Sequence, residues 1–143
     1  MKTHLLLPKA TLVVPTDQAE AYAPFVAQQA GRLDVVTIPP ELIGISKVRN
    51  WIVRRFKEKV VVMYDDDCTA LQTLCGMRNR KLAPPEVQAV VENTAYCAAG
   101  AGARIFGFNQ RPDPRMLQRN DPFSVVHWAG GVVGVVGKEV RWD

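Results

Sequence analysis

Three consecutive carboxylates, Asp65, Asp66 and Asp67, stand directly after the apolar run Val60-Val61-Val62-Met63-Tyr64. Adjacent carboxylates repel one another and raise their own proton affinity unless a cation or hydrogen-bond donors offset the repulsion. A hard divalent ion with oxygen ligands does so, and it holds phosphate oxygens at the same time. Open α/β sheets bind ligands at the carboxyl ends of their strands, which is where this triplet falls. The chemistry implied is metal-assisted binding of a phosphorylated ligand, with Asp65 and Asp67 as the outer pair of a D-x-D. An exposed acidic turn or helix cap competes with it, because Asp is favoured in both.

Two further candidates are less specific. His127 has the chemistry of a metal ligand or a base, yet a lone His in an apolar strand is more often a core or rim residue. Arg104, Arg111, Arg115 and Arg119 make a basic stretch around residues 109–122. Polynucleotide phosphates would explain it, and so would a solvated loop. No aromatics interleave with these arginines to stack bases.

Positioning the acidic triplet requires a scaffold of strands and helices. Thr11 to Val14, ending in Pro15-Thr16, reads as a buried strand. Asp17 with Glu20 resembles a capping box, so a helix is expected through Gln29, kinked or restarted at Pro24 and ended by Gly31. Leu33 to Ile38 is a second buried strand before Pro39-Pro40. Ser46 is the expected cap of the next helix, whose apolar stripe is Val48, Trp51, Ile52 and Phe56. Val60 to Tyr64 is the third strand. Strands alternating with helices imply right-handed crossovers and a mainly parallel sheet. Downstream, Pro84-Pro85 opens a helix running into Ala98-Ala99-Gly100. Arg104 to Phe108 is an expected strand, and 109–122 a long irregular loop. Phe123 to Val136, broken at Gly130-Gly131, reads as strand pieces, and Lys138 to Trp142 as a last strand.

The 143 residues suit one domain with a real core, and 48% hydrophobic content excludes a disordered or fibrous chain. A formal net charge of +4 is a mild bias toward phosphate-bearing partners, short of a polybasic tail. Cys68, Cys75 and Cys97 form no C-x-x-C and no zinc spacing, so a reduced, cytoplasmic setting is expected. Leu5 to Leu7 is too short for a signal peptide, and the apolar run from Phe123 to Gly137 falls short of a span, so no membrane association is expected.

Three segments carry a resemblance in their order. Val13-Val14-Pro15-Thr16, then Gly44-Ile45-Ser46-Lys47-Val48-Arg49-Asn50, then Val62-Met63-Tyr64-Asp65-Asp66-Asp67 resembles the nucleotide-diphospho-sugar glycosyltransferases of the GT-A fold. Their inverting members show a strand ending V-I-P-T, a helix entered through G-x-x-x-x-R-N, and a strand ending in D-x-D. A narrower similarity, through Gly44 to Leu71, Ile105-Phe106-Gly107-Phe108 and Gly130-Gly131, is to phage glycosyltransferases associated with TET/JBP-like oxygenases and thought to decorate modified DNA bases.

The resemblance implies an α/β protein with a GT-A, Rossmann-like, mainly parallel sheet flanked by helices and short at its C-terminus. Residues 1–75 would be the nucleotide-binding half, and 76–143 a partial acceptor half of the same single domain. Pro15, Thr16 and Asp17 would line the base pocket. Arg49 and Asn50 would face the nucleotide from the first turns of their helix, where backbone N–H groups also favour anions. Asp65 and Asp66 would approach the ribose, and Asp67, with Asp65, would hold Mn2+ or Mg2+ on the diphosphate. Gly130 and Gly131 would let the sugar approach the backbone closely, unless they form only a bulge or turn. The implied donor is a nucleotide-diphospho-sugar, with a UDP-sugar favoured, and the implied acceptor is modified DNA. Oligomeric state is left open.

Other classes fit less well. Asp65-x-Asp67-x-Thr69 also matches the D-x-D-x-T of haloacid-dehalogenase-like phosphatases, but that family's nucleophile lies on the first strand and no later acidic pair follows. A nucleotidyltransferase would need a glycine-rich, basic phosphate loop after the first strand, absent between Val14 and Ala30. An inverting transfer needs a carboxylate base beyond D-x-D. No E-D pair follows Val132 to Asp143, so a truncated piece, an unusual base or a non-catalytic binding module is expected.

Overall fold

The computed structural model of the chain describes residues 3–29, 31–75, 78–109 and 130–143. The first apolar run forms β1 (Ala10–Pro15), which pairs in parallel with β2 (Leu33–Ile38), Val13 standing opposite Val36. The crossover is α1 (Ala19–Gln28), which passes through Pro24 without restarting. Pro24 is the sixth of its ten residues, past the first turn, so its missing N–H leaves one i to i−4 bond of the helix unmade. The expected Asp17 capping box does not form. Thr16–Gln18 make a 3-10 turn ahead of α1, and no side chain caps the helix.

Helix α2 (Ile45–Arg55) starts two residues earlier than a Ser46 cap would allow. Gly44 is the N-cap, at φ 101° and ψ 143°, a conformation closed to residues with a Cβ. Backbone freedom at Gly44 therefore decides where the helix begins. The most buried residue of α2 is Val53, fully enclosed, rather than any member of the expected stripe.

The sheet departs from expectation at β3 (Val60–Tyr64). Its ladder partner is β7 (Val132–Val136), antiparallel, with Tyr64 opposite Val132 and Val60 opposite Val136. Strand β6 (Ile105–Gly107) pairs antiparallel on the other side of β7, giving the order β3-β7-β6. A hairpin of β4 (Gln72–Cys75) and β5 (Arg78–Lys81) forms a third, small sheet. The protein is α/β, but among the described residues only β1 and β2 run in parallel, which corrects the mainly parallel expectation. The cause is β7. Its five residues are buried throughout, so it takes the central place with both edges bonded and both faces covered.

Helix α3 (Pro84–Gly100) starts at Pro84-Pro85 as expected. Glu86 accepts the Ala83 N–H at 2.8 Å and two bonds from the Arg80 guanidinium at 2.9 Å each. The arginine first, then the Ala83 N–H, hold the Glu86 carboxyl down at about 2. Two core clusters cover the two faces of the β3-β7-β6 sheet. Val62 and Tyr64 pack on the cluster of Leu6, Leu71, Val87, Val91 and Val132. Met63 packs on the cluster of Val53, Val135 and Val140. The sheet therefore lies between α3 on one face and α2 on the other.

Residues 138–142 form no strand. Their apolar alternation is used differently, since Val140 is buried against Val53 and Trp142 packs on the same cluster. All three cysteines are free thiols. No helix among the described residues is long and apolar enough to cross a membrane.

Candidate functional site

The acidic triplet leaves the end of β3 in a turn pinned from two sides. The Asp65 N–H donates to the Gly131 carbonyl at 2.7 Å. The Asp65 carbonyl accepts the Thr3 hydroxyl at 2.7 Å, and the same hydroxyl lies 3.1 Å from the Cys68 carbonyl. The Cys68 thiol donates to the Gly131 carbonyl at 3.3 Å. The backbone of the turn is fixed, while its carboxylates remain available. Asp66 and Asp67 are exposed. Asp65 is 43% exposed and meets Arg49, where Nη2 lies 3.2 Å from Oδ1. Arg49 is only 18% exposed, so a largely enclosed guanidinium faces the carboxylates from α2.

Arg49 and all three aspartates border one cavity of about 860 Å3. Ala10 to Val13 of β1 and Val60 to Tyr64 of β3 line it consecutively, so the cavity abuts the edges of the two strands. Ile45, Val48 and Ile52 border it from α2, one apolar stripe at helical spacing, joined by Phe56 just past the helix. Most of the wall is apolar; Arg49 and the three aspartates gather at the acidic turn, and Glu58 borders the cavity ahead of β3. This is the usual composition of a small-molecule pocket.

The other expected site residues are placed differently. Pro15, Thr16 and Asp17 do not border the cavity, which meets β1 only in its first four residues. The Thr16 hydroxyl is spent on the Ile38 carbonyl at 2.9 Å, tying the ends of β1 and β2. Asn50 does not border the cavity either. Its Nδ2 donates to the Trp142 carbonyl at 2.7 Å and its Oδ1 accepts the Trp142 N–H at 3.0 Å. Gly131, at φ 70°, is a neighbour of the acidic turn through its carbonyl, and the Gly130 carbonyl accepts the Val132 N–H. Both glycines are thus built into the support of the turn. Arg104 pairs with Glu139 at 2.9 Å in an exposed bridge. His127, Trp128, Arg111, Arg115 and Arg119 lie outside the described residues.

Among the described residues, no group of three or more His, Cys, Asp or Glu side chains converges to hold a metal ion. Asp65 and Asp67 offer at most two carboxylates, the number a site shared with substrate would use. Mg2+-like ions keep several waters and are commonly held by one or two carboxylates together with substrate phosphates. Asp67 and the second oxygen of Asp65 suit that kind of ion, not one caged by protein alone.

Thr3, Cys68 and Tyr64 belong to the site and carry no sequence signal for it. Burial first, then the neighbouring carboxylates of Asp65 and Asp67, pushes the Cys68 thiol up. Among the described residues the Tyr64 hydroxyl is buried with no hydrogen-bond partner, and its phenol is pushed up to about 12, first by burial and then by Cys68. A value raised in the fold means stability that is complete below the unfolded value of about 10 and lost as the pH climbs toward 12. Ultraviolet titration should therefore show one of the three tyrosines ionising late, together with unfolding. Tyr64→Phe should remove that late phase and leave the other two. A wild-type titration with three ordinary phenols would contradict this.

Compared with protein-family models, with curated proteins and with solved structures, the chain finds no match in any of the three. The described residues define the class as α/β, with an arginine-faced acidic turn at the end of a central-sheet strand.

Proposed function

We propose that this chain is the donor-binding core of a metal-dependent glycosyltransferase of the GT-A kind, taking a nucleotide-diphospho-sugar. One observation carries the reading. Arg49 and Asp65, from the second and third of three motifs ordered as in that family, meet at 3.2 Å beside a cavity large enough for a nucleotide. Mn2+ or Mg2+, when bound, supplies positive charge that neutralises the leaving diphosphate. Asp67 and Asp65 are the residues to hold it, and Asp66 is free to approach the ribose. Arg49 offers a fixed, largely desolvated fork to phosphate oxygens, the geometry in which arginine binds phosphate best. The acceptor assigned by the same resemblance is a modified DNA base, which suits the positive net charge.

Donor binding is tested by thermal shift. UDP or a UDP-sugar with Mn2+ should raise the melting temperature by mass action, and Asp67→Ala should remove the rise. No shift with any nucleoside diphosphate, with either ion, would overturn the proposal. Sugar transfer or donor hydrolysis by the same preparation separates an enzyme from a binding module that keeps the fold.

A further inference from the structure

Arg49 and Asn50 are sequence neighbours that serve different parts of the molecule. Successive helical residues project about 100° apart. Helix α2 thus presents its guanidinium to Asp65 and its carboxamide to the C-terminal segment. The Asn50 carboxamide meets both main-chain groups of Trp142, donating to one and accepting from the other, as a neighbouring strand would. One turn further along, Val53 is fully buried against Val135 and Val140, and Trp142 packs on the same cluster. Any rotation or slide of α2 breaks both hydrogen bonds and this packing together. By contrast, the single bond from Arg49 to a half-exposed carboxylate is too weak to hold the helix in place.

We infer that Asn50 is a positioning residue: its clamp on the Trp142 main chain fixes the rotation of α2 and so aims Arg49 at the acidic turn. The consequence for ligand affinity rests on the reading of that turn as a phosphate site, whereas the geometry does not. None of residues 140–143 borders the cavity, yet the segment becomes part of the binding apparatus. An asparagine expected to touch nucleotide acts instead through its neighbour.

Three variants test the clamp without any ligand. Asn50→Asp keeps the acceptor for the Trp142 N–H but sets a carboxylate against the Trp142 carbonyl. Trp142→Pro removes the main-chain N–H together with the indole that packs on the Val53 cluster, and Trp142→Phe, which keeps both main-chain groups, controls for loss of the indole. The Arg49 side-chain N–H signal in NMR, assigned by its loss in Arg49→Lys, reports the pair with Asp65. In Asn50→Asp and Trp142→Pro it should move to the position seen in Asp65→Asn, while the Val53 and Val135 methyl signals stay folded. Trp142→Phe should leave it unmoved.

Binding of UDP with Mn2+ should weaken about tenfold in the first two variants, the size of one misaligned charge-assisted hydrogen bond. An Arg49 signal unmoved in both folded variants overturns the inference. So does a signal that moves only where the Val135 methyls have also left their folded positions. If the Arg49 signal follows the clamp but the wild-type protein binds no nucleotide, the inference stands and the site reading falls.

Discussion

Replacing Gly134 with alanine should cost about 3 kcal/mol of stability, near the upper end for overpacking a core. Gly134 is the midpoint of β7, opposite Val62 on one side and Phe106 on the other. The Phe106 ring occupies the space that a Cβ at Gly134 would need. Phe106 is 8% exposed and meets Phe108 edge-on, so displacing the ring disturbs a buried contact. Alanine in a strand interior would ordinarily gain a few tenths to about 1 kcal/mol over glycine. Here the collision outweighs that gain, and the sign reverses. Urea denaturation measures the loss. Phe106→Leu should be destabilising alone, yet should recover part of the loss in the Gly134→Ala background, because the two residues share one volume. A Gly134→Ala protein as stable as the wild type would show that the ring is not seated there.

The same pair shows what local sequence reveals. The apolar runs that form β1, β2 and β3, and the Pro84-Pro85 start of α3, are legible because burial and backbone restriction are properties of the residues themselves. Pairing is not. Val60 to Tyr64 would look identical beside a parallel or an antiparallel neighbour, and only the fully buried β7, far along the chain, decides between them. The β4–β5 hairpin was illegible because Arg78 to Lys81 is exposed and polar throughout. Lys138 to Trp142 has the alternation of a strand, but that alternation is satisfied by Val53 and Asn50 instead of a ladder.

The candidate site divides along the same line. Asp65 to Asp67 could be singled out as adjacent carboxylates at a strand end, and Arg49 only through the G-x-x-x-x-R-N resemblance. That the two meet at 3.2 Å is a finding of the structure. The direction of Asn50 could not be read, since it depends on which segment covers the side of α2 away from Arg49. Thr3 is a lone hydroxyl 62 residues from Asp65, and no spacing rule connects them. Pro15 ends β1 and Thr16 and Asp17 follow it, but all three fall beyond the part of β1 that borders the cavity.

Arg49→Ala should weaken binding of UDP with Mn2+ about a hundredfold, while changing stability by less than about 1 kcal/mol. The two numbers separate because the two partners differ in exposure. In the free protein the arginine faces Asp65, which is 43% exposed and recovers its hydration when the partner is lost. A pair of that kind contributes little to folding. In the proposed complex the same guanidinium, 18% exposed in the free protein, would meet phosphate oxygens in a cavity with mostly apolar walls, where water competes less. Arg49→Lys keeps the charge without the planar fork and should lose about tenfold. Asp65→Asn distinguishes two roles. If Asp65 only restrains Arg49, freeing the arginine leaves binding intact or tighter. If Asp65 also holds the metal, as proposed, binding falls in spite of the freed arginine. Calorimetric titration of the three variants and of Arg49→Ala/Asp65→Asn gives the coupling directly. An Arg49→Ala protein that binds within about threefold of the wild type would remove the guanidinium from the site, since a desolvated arginine–phosphate contact is worth more than that.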